Sequence, residues 1–583
     1  MANGMSGLYV GRMGLMAAQT SIDVTANNLT NMHTEGYVRQ QVIYNDMQYS
    51  TLSVAKKNMT TQQSVNMMQS GLGVSIGDVV HSRDLFLDKY YRSESGRQVF
   101  YNTCFTTTNE VEELLQETEG EAFQEVLADM YEAISELSKD PGSGVNKNLV
   151  VQKATLFMER TTALYEGIQE YQLNMNEQIR DAVKRINELG QQICEYNTRI
   201  HKIEAGGVET AMDLRDARDL ALDELGTLVN ISYVEQADGT VRVKLEGKDF
   251  VDDIGHHEIS FRIDNTTKFI TPIWKELSNA AAEDYVDVFD FNVDISSEIN
   301  TDIGKLKALV MCRGSEISNY MDVLGLDAET YNNTTGLSVL QTIEAQLDQL
   351  VHGVVTTINN LLSPTVEQSI TVNGKTQTVR VWDEENGALG SNMKGPGEEL
   401  FSRKYHQRYR EVVDDSGKTW HVYNEEDTEV KYDITGALIP NDESTLYSII
   451  NLQVNPVLLA NENMLPHLTK NGEVDYRLAA GIEEAWKTDF LRLTPGGIKV
   501  SFNNYYDSMV GALGTNGSIY NSVATTLATS VQSIETQRQI VFGVSSDEEL
   551  ANMIKFQSAY NASSRFINVV DSMIEHVIMQ LGS

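Results

Sequence analysis

ANMIKFQSAYNASSRFINVVDSMIEHVIMQL, residues 551–581, carries an apolar or aromatic residue at every seventh position: Met553, Tyr560, Ile567, Ile574 and Leu581. Phe556, Val570 and Val577 fall three positions after members of that series, which makes an a/d seam of the kind that pairs one helix with another. Gly543 precedes the run and Ser545 is followed by Glu548 at capping-box spacing, so the pattern predicts a helix starting near 546. The opposite end of the chain repeats the period with Leu8, Leu15, Ile22 and Leu29, but the positions three later are Gly11, Ala18, Thr25 and Met32. Mostly small residues there permit close helix approach. Gly4, Gly7, Gly11 and Gly14 each cost an isolated helix about 1 kcal/mol relative to alanine, so this segment needs a partner to become ordered.

Two more series lie inside the chain. Ile179, Ile186, Ile193 and Ile200 recur at sevens after Pro141-Gly142, and Leu340, Ile343, Leu347, Leu350, Val354, Ile358 and Leu361 stop before Ser363-Pro364. Strand signals fall between and after them. ISYVEQADGTVRVKLEG (231–247) and SITVNGKTQTVRVW (369–382) set Asp-Gly and Asn-Gly between alternating residues, the strongest short-range hairpin signals. Six of the eight prolines lie between 364 and 495, and none in the first 140 residues or the last 88. Helical ends around an irregular middle follow. The fold class expected is multidomain α+β: a helical core of long coiled-coil-like helices built from both termini, with inserted β-rich domains. The expected parts are 1–45 with 543–583 as a terminal paired-helix domain, and 46–204 with 330–363 and 496–542 as a helical core. Residues 205–329 form an inserted β-rich domain and 364–495 a second, divergent surface domain.

The chain has 583 residues with 45 Lys plus Arg against 83 Asp plus Glu, a net charge of −38. That excludes nucleic-acid binding through bulk electrostatics. The first 45 residues are neutral and the last 69 nearly so, so the acid lies in the middle and the ends are suited to close packing. Three cysteines, Cys104, Cys194 and Cys312, are odd in number and far apart, which supports neither a disulfide framework nor a thiolate metal site. No basic residue precedes Arg12, so no cleavable secretory signal is read, and no stretch is apolar for long enough to insert in a membrane.

Catalytic motifs dissolve on inspection. Gly73-Val74-Ser75-Ile76-Gly77 matches a nucleophile elbow, but long helices follow rather than an alternating α/β chain that would bring acid and histidine partners. The Gly-Lys-Thr tripeptides at 374–376 and 417–419 lack the glycine a phosphate loop needs five residues earlier. His256-His257-Glu258 has adjacent rather than helix-face spacing. No catalytic residue, cofactor or metal is expected, and the chain reads as no enzyme.

GLMAAQTSIDVTANNLTNMHTEGYVRQ (14–40) resembles the N-terminal signature of the bacterial flagellar rod, hook and hook-associated axial proteins, matching at Ala26, Asn27, Asn28, Leu29, Asn31, Gly36, Tyr37, Arg39 and Gln40. Glu35 stands where that family usually has proline. Without the family, these residues read as a helix stop and a left-handed turn. Residues 543–578 are similar to the family's closing helix, at Asp547, Glu548, Glu549, Ala551, Asn552, Lys555, Phe556, Gln557, Ala559, Tyr560, Ala562 and Ser563. The pattern of the hook-associated members recurs in GVSIGDVVHSRDLFLDKYYRSES (73–95) and in 213–243, and thins over 365–490. The resemblance implies a structural protein, secreted by the flagellar type III apparatus with an export chaperone and resident in the flagellum. It implies a homo-oligomeric ring with hook protein on one side and a second hook-associated protein or flagellin on the other, joined through Leu8, Leu15, Ile22, Leu29 and the C-terminal seam. A hook or rod protein of the same family, or a secreted surface-binding protein, are the alternative readings.

Overall fold

The apolar periodicities become long helices. In the computed structural model of the chain, which describes residues 2–47, 50–53, 67–116, 122–206, 210–279, 282–428, 431–432, 438–439 and 442–581, the helices are α1 (Ala2–Thr30), α2 (Leu85–Gln116), α3 (Phe123–Lys139), α4 (Gly144–Glu204), α5 (Met212–Leu228), α6 (Lys305–Arg313), α7 (Met321–Leu324), α8 (Ala328–Asn333), α9 (Val339–Leu362), α10 (Pro456–Ala460), α11 (Arg477–Lys487), α12 (Phe502–Phe542) and α13 (Ser546–Leu581). The C-terminal helix starts at Ser546, where the capping signal put it. Both Asn-Gly and Asp-Gly hairpins form: Ile231–Glu235 pairs with Val241–Leu245, and Thr365–Val372 with Lys375–Trp382. Asn373 and Gly374 both take positive φ, the backbone a two-residue hairpin turn requires. The class is the expected one, long helices from both termini with several small sheets between them.

The chain divides into two compact units. One comprises residues 1–98, 184–259 and 525–583, the other 99–183 and 260–524, and α2, α4 and α12 each give part of their length to either.

The first unit holds both chain ends. Besides α1 and α13 it contains the antiparallel pair Gln40–Asp46 with Val74–His81, and a three-stranded meander completed by Lys248–Val251. Val241, Val243 and Leu245 alternate inward and are buried, as the hairpin alternation required. Ile186, Ile193 and Ile200 of α4 are fully buried with them. The two interior segments singled out by resemblance meet in an ionic network. Arg538 donates to Asp88 at 2.9 Å and to Asp223 at 2.7 Å, Arg92 donates to Asp223 at 2.5 Å, and Arg83 binds Asp88 and Asp219. Arg92 and Arg538 are buried and Arg83 half-buried, so each needs its carboxylates to offset desolvation.

The second unit is built around α9, whose seam residues Leu340, Ile343, Leu347, Leu350, Val354 and Ile358 are buried and Leu361 half-buried. Its main sheet runs in the order 365–372, 375–382, 419–423, 409–413. Ile179 of α4 and Phe123 and Phe157 lie in the core of this unit.

A recurring device fastens helices to strands in both units. An asparagine on the helix offers its amide to one residue's backbone, so that Oδ1 accepts the N–H and Nδ2 donates to the C=O, as a neighbouring strand would. Asn187 and Asn197 of α4 do this to Ile259 and Val241, and Asn359 of α9 does it to Phe401, at 2.6–3.1 Å. Asn176 of α4 spans Lys268 and Ile270 in the same way. A strand's end residue is thereby satisfied without another strand.

Candidate functional site

The small residues of α1 let α13 approach within van der Waals contact along its length. Gly7 faces Val570, Gly11 faces Ile567 and Phe566, and Gly14 faces Ser563, so the two helices run antiparallel. A Cβ at Gly11 would lie 2.7 Å from Ile567 Cγ1, closer than a side chain can stand. Ala17, Ala18, Ser21, Thr25 and Asn28 continue the buried stripe of α1. Glycines that weaken the isolated helix are therefore the contact surface of the pair.

Of the residues assigned to self-assembly, Val570 is buried, and Leu8, Leu15, Ile22, Leu29, Met553, Phe556, Ile567 and Ile574 are half-buried. Tyr560 and Val577 are exposed. Leu581 is the last residue of α13, and its side chain lies outside the described residues. Ile567 and Val570 thus meet α1 of the same chain. A second apolar stripe stays open on α13, and of its members the heptad reading singled out only Val577: Phe566, Val569, Met573 and Val577 recur at three and four residues and are 45, 53, 63 and 44% exposed. Its signal in the sequence was present, at positions flanking the seam.

The signature after α1 is a clasp. The Asn28 side chain uses its full hydrogen-bonding capacity. Oδ1 accepts the Gln40 N–H at 3.0 Å and the Tyr37 hydroxyl at 2.8 Å, while Nδ2 donates to Gln40 O at 2.9 Å and to Glu549 Oε2 at 3.2 Å. Glu549 belongs to the first turn of α13, 521 residues away. Its other oxygen accepts from Arg39 Nε at 2.9 Å and Nη2 at 2.7 Å, and Arg39 Nη1 reaches Glu548 at 3.1 Å. The acidic first turn, favourable to the helix dipole, is also the arginine's partner. Arg39 N–H donates to Phe542 O at 2.9 Å, which holds the turn to the end of α12 as well.

The remaining motif residues shape the turn. Asn31 donates to the Asn27 side chain at 2.8 Å and backbone at 3.1 Å, closing α1. Gly36 takes φ +76° against the Leu220 side chain of α5, a conformation that side chains disfavour. Val38 N–H donates to Asp216 of α5 at 3.1 Å, and burial pushes the Asp216 carboxyl up to about 7. Burial, with Asp216, Asp213 and Glu549 nearby, pushes the Tyr37 phenol up, so it remains a donor to Asn28 at physiological pH. Ala26 is half-buried and Gln40 buried. The sequence reading took these residues as a helix stop and missed the clasp, because its other half lies at the far end of the chain.

Ser75 of the elbow-like motif sits on the strand Val74–His81 and donates to Asn45 O at 3.3 Å. His257 faces Asp252 at 3.2 Å. Among the described residues no group of three or more His, Cys, Asp or Glu is placed to hold a metal, and no helix is long and apolar enough to cross a membrane.

Comparison with known proteins gives three family matches in chain order. Residues 8–37 match the family "Flagella basal body rod protein", 108–376 match "Flagellar hook-associated protein FlgK helical domain", and 542–581 match "Flagellar basal body rod FlgEFG protein C-terminal". Flagellar hook-associated protein 1 of Bacillus subtilis is 24% identical over 590 residues, covering 100% of this chain and 99% of its own. The protein of that name from Escherichia coli is 22% identical, covering 97 and 98%. The structure of the flagellar hook junction protein FlgK from Burkholderia pseudomallei has the same fold, with TM-score 0.51 at 12% identity, over 77% of this chain and 99% of that one.

Proposed function

We propose that this chain is a member of the flagellar hook-associated protein 1 family and that its clasped terminal helices are the surface through which copies assemble into a ring between hook and filament. It is a structural protein of the bacterial flagellum, exported to the hook–filament junction. The observation that carries the reading is the arrangement of the three matches: rod-type signatures at both ends bracket a hook-associated helical domain. A hook or rod protein would share the ends alone. Hook protein on one side, and a second hook-associated protein or flagellin on the other, are the partners this reading assigns, with an export chaperone before assembly.

Two features support assembly through the terminal pair. It is nearly neutral in a chain of −38, so copies can crowd without the repulsion the middle would bring. Val569 and Met573 present apolar surface that the chain itself leaves open, beside Phe566, which meets Gly11 and is still 45% exposed. Imaging flagella with an antibody to 364–495 tests the location: label is expected in a band between hook and filament, and label along the filament or hook refutes it. Val569→Asp tests the surface, since an exposed position leaves the chain's own fold intact. Hooks without filaments are expected from that strain, and normal filament growth would count against the helical surface while leaving the location standing.

A further inference from the structure

Cys104 of α2 and Cys312 of α6 are 208 residues apart in sequence, and their sulfurs lie 3.6 Å apart. Both are free thiols, fully buried, in the same compact unit. Each is held at its backbone: the Cys104 carbonyl accepts the Thr108 hydroxyl at 2.9 Å and the Cys312 carbonyl accepts the Ser338 hydroxyl at 2.8 Å. Closing that gap to a bond of about 2.05 Å asks each side chain to move by less than about 1 Å.

We propose that Cys104 and Cys312 are a cross-linking site, oxidised to a disulfide as the exported chain folds outside the cytoplasm. The oxidant belongs to the class of small-molecule or protein disulfides. A thiolate of one cysteine attacks the oxidant's S–S bond, forming a mixed disulfide and releasing one thiol; the second cysteine's thiolate then attacks the protein sulfur of that mixed disulfide and releases the other thiol. The two cysteines lose two electrons and two protons, and the oxidant leaves as two thiols.

Timing follows from burial. The hydrogen bond with Cys312 and burial push the Cys104 thiol well up, and neither sulfur can admit a mixed disulfide in the closed core. The bond therefore forms while the core is still open, and the finished core shields it from reductants. Cys194, half-buried in the other unit, stays free. The chemistry rests on the thiol pair alone, whereas the oxidising setting rests on the export reading above.

The full chain, unfolded and reduced, is refolded with a mixture of reduced and oxidised glutathione, then denatured with N-ethylmaleimide and mapped by mass spectrometry. Alkylatable thiols should fall from the three of the sequence to one, Cys194, with the Cys104 and Cys312 peptides joined and about 2 Da lighter than their sum. Folded reduced protein held in the same buffer should keep all three. Cys194→Ser should retain the link and Cys104→Ser lose it. Three free thiols after refolding, or a link through Cys194, overturn the proposal. Neither outcome depends on where the protein resides, which microscopy decides separately.

Discussion

Asn359 shows how much a single polar residue settles. It is fully buried, its Nδ2 donates to Phe401 O and Glu399 Oε2, and its Oδ1 accepts two backbone N–H groups. Asn359→Asp keeps the acceptor but turns the donor into a second anionic oxygen facing a carbonyl and a carboxylate. A loss of about 3 kcal/mol or more in urea unfolding of the full chain is expected, recovering towards acid pH as the new carboxyl protonates. Gly11 and Gly7 offer a paired test of helix approach. Alanine at Gly7 meets Val570 at an ordinary 3.4 Å and gains helix propensity, whereas at Gly11 it meets Ile567 at 2.7 Å. Amide exchange in α1 should slow or hold steady with Gly7→Ala and quicken at least tenfold with Gly11→Ala, and Ile567→Ala should restore the latter. Neither asparagine clasps nor the pairing of Gly11 was visible in sequence beyond the smallness of the residue. A polar side chain on a helix looks alike whether it meets water or a strand end hundreds of residues away.

Elements were far more legible, because apolar periods of seven and Asn-Gly turns are local signals that burial rewards directly. α13 begins where the capping signal put it, and α9 ends just before Ser363-Pro364. Acid on α9 was not legible. Glu344 and Asp348 are buried on that helix, Glu344 accepting from Gln172 and Ser318 while its Oε1 meets no donor, and Asp348 accepting from Tyr320 and Ile449 N–H groups. Burial pushes Glu344 up to about 8 and Asp348 up to about 7. A carboxyl whose pKa is raised on folding contributes stability that is full below its unfolded value and is lost as pH rises through the folded one. The chain should therefore unfold at lower urea at pH 8.5 than at pH 6, by roughly 2–3 kcal/mol from Glu344. Glu344→Gln should remove that share of the slope. α4 adds a geometric constraint of its own. Asn187 and Asn197 grip Ile259 and Val241, so one residue inserted between them would turn the second amide by about 100° and shift it about 1.5 Å. Loosening of the strands that start at Val241 and Ile259 is the expected result, seen as fast amide exchange there.

Over the whole molecule, the feature with the widest reach is the clasp of Asn28 and Arg39 on Glu549. Joined at its ends, the chain between them behaves as one closed loop, and the entropy of closing a loop grows only with the logarithm of its length. Doubling it costs about 0.6 kcal/mol. Lengthening the interior is therefore nearly free to the ends, provided the addition folds by itself and stays off the gripping helices. A folded domain of about 100 residues spliced between Ile254 and Gly255, where Ile254 is 94% exposed, should leave filament growth unchanged. Failure of filaments with soluble, folded protein would contradict it. A chain held this way can take on new residues anywhere between its ends while the pair of helices that closes the loop stays as it is.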